Sequence, residues 1–307
     1  MAEQKRLTRA QRQERASDVA APYDGIAHRR DLRAAGITRE DVRTEVRAGR
    51  WLVLGKHTVV IRQAWSTRAA WFHALWETGS GAVLDGVAAL HASGLTGFQH
   101  HEIDVALPTN NRRHKADRTH IRHYRTMPPT VGGGVPRVRP EIAALNAAQW
   151  ALTDRMAALI LCLVVGQGLV LPERLLETFA RLQRCRRRAF LTTALKDICA
   201  GAASLGELDF ARLCRKYGLP PPSRQVLRTL PTGRAYLDVR WDDINLVVEI
   251  DGGHHTQVLA PVADALRQNE IVLTNDRVLR IPLLGLRLDE EAFMGQVVRA
   301  HRQAVRR

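Results

Sequence analysis

The stretch NLVVEIDGGHH, from Asn245 to His255, places two carboxylates inside an apolar run of β-forming residues. Side chains alternate across a strand, so Glu249 and Asp251 should share one face while Val248 and Ile250 share the other. Acids are uncommon in the core of a strand because the burial of an unpaired charge is costly. The pattern therefore predicts a strand with an apolar face in a core and an acidic face outside it.

A second strand should lie beside this one. The run RAYLDVRW is also β-forming, and the short turn Asp242–Ile244 joins the two runs into an antiparallel hairpin. The hairpin returns Asp238 to the side of Glu249 and Asp251, so three carboxylates converge. Like charges held close raise one another's pKa values, and a divalent cation relieves this conflict. Mg²⁺ is the usual cation for oxygen ligands beside phosphates, and we predict that Asp238 and Glu249 bind it.

The predicted metal site indicates phosphodiester hydrolysis. Bound Mg²⁺ can polarise a phosphoryl group, lower the pKa of a bound water and stabilise the charge that develops during cleavage. His254 and His255 follow two glycines, and a histidine there can hold or transfer a proton near neutral pH. The alternative is a chance cluster of acids on a solvated strand face. Asp242 and Asp243 are interpreted as turn residues only.

Helices and one further strand should surround the hairpin. We predict a preceding helix that is capped by Ser204, with Glu207 three residues on, and that continues into LDFARLCRKYG. A helix over residues 259–273, the strand RVLRIP and a final helix, DEEAFMGQVVRAHRQA, should follow it. This order predicts an α/β domain with a mixed sheet.

The acids of this domain resemble a known pattern. The motif Glu249-x-Asp251-Gly, eleven positions after Asp238, resembles the PD-(D/E)XK restriction-endonuclease-like fold. More narrowly, residues 204–305 are similar to an uncharacterised bacterial domain related to very-short-patch-repair endonucleases. The resemblance implies a mixed sheet flanked by helices, with Asp238 and Glu249 as metal ligands. It also implies an active site of five residues: Glu207, Asp238, Glu249, Asp251 and His255.

The chain departs from the family pattern at three positions. The lysine of the superfamily would stand at position 251, where this chain has Asp251, although the related domains also carry an acid there. The next helix reads Arg267-Gln268 where the family has Arg-Asp, and we expect Arg267 to contact DNA. Asn275 replaces a glycine before the last strand and tolerates a left-handed turn. Two possibilities stay open: metal-dependent cleavage, and a nuclease fold that only binds DNA.

Residues 21–62 have the order of a winged helix-turn-helix. A short helix, RRDLRAAG, is followed by Thr38, which offers an N-cap with Asp41 three residues on. A second helix, REDVRTEVRAG, leads into the strands WLVLG and HTVVI, which should form a hairpin. Lys56 and His57 lie in the turn of this predicted wing and suit contacts with the DNA backbone.

The second helix of this segment has a basic stripe opposite an apolar one. Val42 and Val46 should face the core, while three arginines spaced four residues apart face away from it: Arg39, Arg43 and Arg47. A recognition helix needs this division because one face anchors it and the other meets phosphates and guanine edges. The alternative is a solvated helix face on which Glu40 and Asp41 pair with the arginines.

Residues 24–200 resemble the abortive-infection-type antitoxin and transcriptional-regulator family. The winged segment, the motif AVLDGVAALHASGL, basic strands and a helical block follow one another as in that family. The resemblance implies DNA binding and a toxin or defence-system partner. We therefore expect four segments: a charged, partly helical arm (1–20), a winged helix-turn-helix (21–62), an antitoxin-like mixed then helical region (63–200) and the endonuclease-like domain (201–307).

The composition indicates the class of partner. The chain has 46 Lys and Arg against 31 Asp and Glu, a net charge of +15, which is expected of a protein that meets phosphate polyanions. The longest apolar run, residues 157–165, is far shorter than the roughly 20 residues of a membrane span, and no secretory pattern opens the sequence. The four cysteines lack the spacing of a zinc site or a disulfide framework. We expect a reduced, cytoplasmic protein without membrane contact.

Two functions from different classes follow. The first is a Mg²⁺-dependent DNA endonuclease or nickase that its winged domain brings to duplex DNA. The second is a non-catalytic DNA-binding regulator of antitoxin type, whose nuclease fold recognises phosphates. Acids gathered where DNA must approach favour the first function, and the Arg267-Gln268 departure favours the second. RNA is a third possible substrate.

Overall fold

The computed structural model describes residues 7–62, 65–109, 116–206, 208–229, 235–251 and 278–306. Over these ranges the protein is a mixed α/β fold with three sheets, which confirms the predicted class. Each helix of the described ranges is too short or too polar to span a membrane. The chain forms two compact units, Met1–Ser93 with Gln99–Arg139, and Gly94–Phe98 with Pro140–Arg307.

The first unit begins with a small helical and stranded module. Its three-stranded sheet has β3 in the centre, and both β1 and β2 pair with β3 in antiparallel fashion. The predicted capping box is present, because the Asp41 backbone N–H donates to the Thr38 hydroxyl and the Thr38 N–H donates to the Asp41 carboxylate. The elements are α1 (Arg9–Ala20), a 3₁₀ turn (Ala21–Tyr23), β1 (Ile26–His28), α2 (Arg29–Ala34), α3 (Arg39–Arg47), β2 (Leu52–Val53) and β3 (Thr58–Val60).

Helix α1, within the segment predicted to be a charged arm, belongs to the core of this module. Its Ala16 and Ala20 are fully buried and pack with Trp51 and Val59. The two alanines lie four residues apart, so they face the same side of an otherwise polar helix. A narrow apolar stripe therefore holds α1 on the sheet and on α3.

A buried carboxylate joins α1 to α3. Glu45 of α3 is 2% exposed and accepts from Arg12 Nε of α1 at 3.0 Å and from Arg50 Nε at 2.5 Å. Burial raises the pKa of Glu45, but the hydrogen bonds from Arg50 and Arg12 outweigh this effect, and the pKa lies below its ordinary value. Val42 is also buried, so α3 presents one side to the module and the opposite side to solvent.

A five-stranded mixed sheet forms the rest of the first unit. Its strand order is β6-β5-β4-β8-β7, with parallel pairing in β5–β6 and β4–β8 and antiparallel pairing elsewhere. The segments EIDVALP and THIRHYR contain β5 and β6. The elements are α4 (Thr67–Thr78), β4 (Val83–Leu84), α5 (Gly86–His91), β5 (Ile103–Pro108), β6 (Thr119–Tyr124), β7 (Thr130–Val131) and β8 (Arg137–Val138).

The second unit combines helices with a four-stranded sheet. The strand order is β12-β11-β10-β9, antiparallel except for the parallel pair β11–β12. Helix α9 contacts β10, and the final helix contacts β11. The elements are α6 (Pro140–Trp150), α7 (Asp154–Gly166), α8 (Pro172–Ala180), α9 (Arg188–Gly206), α10 (Phe210–Lys216), β9 (Arg224–Thr229), β10 (Ala235–Trp241), β11 (Leu246–Asp251), β12 (Val278–Pro282), α11 (Leu283–Leu288) and α12 (Glu290–Val305).

The prediction that Ser204 caps a helix is wrong. Helix α9 is continuous through residue 204, because the alanine-rich segment before it propagates helix well. The next helix begins at Phe210, and its cap is Asp209, which accepts from the Arg212 N–H at 2.8 Å. The predicted boundary between residues 200 and 201 therefore falls within α9. Glu207 and the predicted helix over residues 259–273 lie outside the described residues.

Candidate functional site

Strand β11 has the two faces that its sequence predicts. Leu246, Val248 and Ile250 are buried, whereas Glu249 and Asp251 are only half-buried. The neighbouring strand β10 alternates in the same phase. One face of the sheet thus belongs to the hydrophobic core, and the predicted acids lie on the other.

The register of the hairpin brings two of the acids together. Asp238 of β10 lies directly opposite Glu249 of β11 in the antiparallel ladder. Directly opposed side chains have Cβ atoms about 4.5–5.5 Å apart, and like charges in such positions destabilise a sheet. Asp251 pairs with Tyr236 and lies two residues further along the same face. The structure therefore places all three predicted acids on one face, with Asp238 and Glu249 as immediate neighbours.

A cation that the sequence analysis did not assign reaches these acids from β12. Arg280 pairs with Glu249 in the parallel ladder, and its Nε lies 3.1 Å from Glu249 Oε2. The Arg280 side chain is 77% exposed, so its guanidinium lies at the surface of the sheet. Only the register of a parallel strand nearly thirty residues away in sequence would have revealed this pairing.

The acidic face of the sheet supplies some of the ligands that a magnesium ion needs. Mg²⁺ commonly takes one or two carboxylates and completes its shell with water and phosphate oxygens, and Asp238 with Glu249 meets that requirement. Among the residues that the structure describes, no three His, Cys, Asp or Glu side chains are grouped so that they could hold a metal ion. The predicted site residues Glu207, His255 and Arg267 lie outside the described ranges.

The arginine stripe of α3 is exposed to solvent, as the sequence predicts. Arg43 pairs with Glu40 at 3.1 Å, and Arg47 lies 4.0 Å from the same carboxylate. Asp41 is occupied by the helix cap, and within the described residues no carboxylate pairs with Arg39. Exposed ion pairs of this kind contribute about 0–1 kcal/mol, so one glutamate leaves the stripe positively charged and accessible.

The turn of the β2–β3 hairpin is held by Glu77 of α4, a residue that the sequence analysis missed. Its carboxylate accepts from the backbone N–H groups of Lys56 and His57, both at 2.8 Å, and of Thr58 at 2.9 Å. The Thr58 hydroxyl adds a fourth bond at 2.8 Å. An acid within the mostly apolar run AAWFHALWET was the only sequence signal. Glu77 therefore fixes the conformation of the turn.

The two predicted wing residues differ in their surroundings. Lys56 is exposed, but His57 is half-buried, and its ring stacks on that of His28 at 5.3 Å. His28 itself packs edge-on against Trp76 of α4. Lys56 is thus available for a contact at the tip of the turn, and His57 mainly secures the hairpin.

The described residues form two exposed surfaces that could bind a ligand. The first unit exposes a rigid helix with three arginines beside a hairpin with a fixed turn. The second unit exposes a sheet face on which two opposed carboxylates lie next to a guanidinium. A comparison of the chain with protein-family models and with curated proteins finds no match, so the assignment of function rests on these residues.

Proposed function

We propose that this chain is a DNA-binding protein of the cytoplasm whose C-terminal sheet carries a Mg²⁺-dependent endonuclease or nickase site. The observation that carries the proposal is the position of Asp238 directly opposite Glu249 on the face of the sheet away from the core. Two adjacent negative charges cost free energy in a sheet. Arg280 offsets part of that cost through its ion pair with Glu249, and a divalent cation at this face would offset it further.

Each residue of the site has a role in this proposal. Asp238 and Glu249 would hold Mg²⁺, whose chemistry when bound is to polarise a phosphoryl oxygen and to lower the pKa of a water. Asp251 extends the acidic face on which the metal waters would be oriented. Arg280 supplies, from β12, the positive charge that the family pattern gives to a lysine. The resemblance adds Glu207 as a supporting acid and His255 as a group that transfers a proton.

The first module would bring the chain to duplex DNA. The order α1, β1, α2, α3, then the β2–β3 hairpin with β3 in the centre of the sheet, supports a winged helix-turn-helix. In such a module α3 enters the major groove, and its arginine stripe meets phosphates and guanine edges. Lys56 would contact the backbone from the wing.

Plasmid nicking tests the proposed hydrolysis. Purified protein with Mg²⁺ or Mn²⁺ should convert supercoiled plasmid to open circles, and removal of the metal with EDTA should abolish the conversion. A folded RNA of similar length, incubated in parallel, tests the RNA alternative. Metal-independent nicking, or no conversion at any metal concentration, would count against the proposed hydrolysis.

DNA binding should depend on the arginines of α3. The double variant Arg43→Ala with Arg47→Ala should weaken duplex binding and reduce the slope of log affinity against log salt by about 2, because two phosphate contacts are lost. Fluorescence anisotropy with a labelled duplex measures both quantities. The matched control is Arg302→Ala with Arg306→Ala, which removes the same charge from exposed positions near the end of α12. If the two variants weaken binding equally, the arginines of α3 have no specific role in DNA binding.

A second candidate function is a non-catalytic DNA-binding regulator of antitoxin type with a toxin or defence-system partner. One observation favours it: the Glu249 carboxylate already has Arg280 as a counter-charge. With Glu249 neutralised in this way, the sheet could present its other arginines to phosphate without a metal. Binding without nicking, in the experiments above, would select this function.

A further inference from the structure

The loop between α8 and α9 is strongly basic. Residues 181–188, RLQRCRRR, comprise five arginines and no acid. The loop belongs to the second unit, the unit that carries the carboxylate face and not the module with α3. Its arginines therefore belong to a different unit from the arginine stripe of α3.

Two of the five arginines build the loop. Arg187 has a left-handed backbone, with φ of 59°. Its guanidinium pairs with Asp154 and donates to two backbone carbonyls of the α6–α7 turn, at 2.7 and 3.2 Å. Arg188 donates to the carbonyl of Leu182, and its guanidinium lies 5.4 Å from the centre of the Phe179 ring. These contacts give the loop a defined shape.

The other three arginines point their charge into solvent. Arg181, Arg184 and Arg186 are exposed, and within the described residues no carboxylate pairs with any of them. The Arg186 backbone is also fixed, because its N–H donates to the Gln149 side chain at 3.0 Å. Three unneutralised cations thus stand on a rigid support.

The position of these arginines in the fold adds to the positive potential. Arg184 and Arg186 precede α9, a helix of 19 residues with no acid in its first turn, whereas Arg181 is the C-cap of α8. A helix N-terminus carries partial positive charge, so cations there are unfavourable unless an anion is near. Arg184 and Arg186 therefore add to the positive charge at this end of α9, and a bound anion would offset it.

We propose that Arg181, Arg184 and Arg186 form a second DNA contact, which binds backbone phosphates independently of α3. Arginine suits this partner because its planar fork hydrogen-bonds phosphate oxygens in pairs. Contacts of this kind set position and carry no sequence information. The contact extends the DNA binding proposed above, and on the second unit it would hold the duplex that the carboxylate face has to reach.

Full-length variants test this contact separately from the winged module. The loop variant combines Arg181→Gln, Arg184→Gln and Arg186→Gln, and it is made both in the wild-type chain and together with Arg43→Ala and Arg47→Ala. The control combines Arg299→Gln, Arg302→Gln and Arg306→Gln, which removes the same charge from exposed positions at the end of the chain. Anisotropy of a labelled duplex over a range of salt concentrations gives affinity and salt slope.

The loop variant should lose about tenfold or more in affinity, with a salt slope smaller by about 2 to 3, in either background. Without DNA, its melting temperature should be close to that of wild type, because the three side chains are exposed and the charges that leave the start of α9 and the end of α8 have opposite effects. The control should change affinity much less. A loss of DNA affinity with no loss of stability separates a binding surface from a merely structural loop.

Three outcomes would overturn the inference: equal loss of affinity in the loop and control variants, an unchanged affinity of the loop variant, or tighter binding of a single-stranded RNA than of the duplex. If the loop variant binds the duplex with unchanged affinity but the α3 variant binds it more weakly, the proposed role of the winged helix is supported and only the second contact is ruled out. If only the loop variant weakens binding, the winged-helix assignment fails and the second contact stands.

Discussion

Replacement of Asp238 by Asn or of Glu249 by Gln is expected to lower the rate of plasmid nicking roughly 10³-fold, which corresponds to about 4 kcal/mol of activation free energy. Each change keeps the size of the side chain and removes its negative charge. The two residues lie opposite each other on β10 and β11, so either change removes one of two adjacent carboxylates. A divalent cation would then lose a charged ligand, and with it the stabilisation of the charge that develops during cleavage.

The matched control for this experiment is Asp243→Asn. Asp243 is an exposed residue of the turn between β10 and β11, and the sequence already identified it as a turn residue only. This control should nick plasmid at the wild-type rate. Thermal melting should show that Asp238→Asn and Glu249→Gln fold as well as wild type, because each relieves a like-charge neighbour and the Glu249–Arg280 ion pair is exposed and contributes only about 0–1 kcal/mol. Wild-type nicking by folded Asp238→Asn or Glu249→Gln protein would trace the activity to a contaminant or to another site.

Loss of the Glu77 carboxylate is expected to have the largest effect on stability. Glu77 is 7% exposed and accepts hydrogen bonds from three backbone N–H groups and one hydroxyl of the β2–β3 hairpin. Each buried donor left without a partner costs about 1–3 kcal/mol. Water should reach some of these donors, so Glu77→Ala should lower the free energy of unfolding by about 3 kcal/mol or more. Chemical denaturation measures this change.

Gly55→Ala tests the same contact from the opposite side. A Cβ at Gly55 would lie 2.5 Å from Glu77 Cδ, so the carboxylate would have to leave its hydrogen bonds. We expect a loss of about 1–3 kcal/mol, as for other overpacked sites, and weaker duplex binding because the hairpin turn shifts. Gly132→Ala is the control, since a Cβ at Gly132 meets no atom within 4 Å. Equal stability of the two alanine variants would show that the turn does not depend on Glu77.

The contribution of Glu77 should also depend on pH. Burial raises its pKa, but hydrogen bonds from His57, Thr58 and Lys56 outweigh this effect, so the folded-state pKa lies below the ordinary value. Such a group stabilises the fold fully above the unfolded pKa, near about 4.3, and loses this contribution as the pH falls through the folded pKa. The stability difference between wild type and Glu77→Gln should therefore shrink on acidification. A difference that stays constant would mean that the charge of Glu77 is not what holds the turn.

Features set by local rules could be predicted from the sequence. The alternation in NLVVEID follows from the two-residue period of a strand, and the Thr38–Asp41 cap follows from side-chain hydrogen bonding within one turn. The hairpin register that opposes Asp238 to Glu249 follows from a short connecting turn. In each case the residues that decide the structure lie close together in the sequence.

Features set by distant partners could not be predicted in this way. Strand β1 has three residues and exists because β3 pairs with it from about thirty residues away. Arg280 was not assigned to the acidic face, and Glu77 was not assigned to the wing, because their partners are also distant in the sequence. Helix α1 was interpreted as an arm because two buried alanines give only a narrow apolar stripe among charges. Competition between local signals explains the remaining error, since Asp209 and not Ser204 caps α10.

The most direct test of the proposed site is the position of a bound metal in crystals soaked with Mn²⁺, located by anomalous scattering. We expect a peak in contact with the carboxylates of Asp238 and Glu249, and no such peak in Asp238→Asn crystals. We also expect that the Arg280 guanidinium no longer contacts the Glu249 oxygen that binds the metal. If saturating Mn²⁺ gives no peak at these carboxylates and leaves the Glu249–Arg280 ion pair intact, the proposed metal site is wrong.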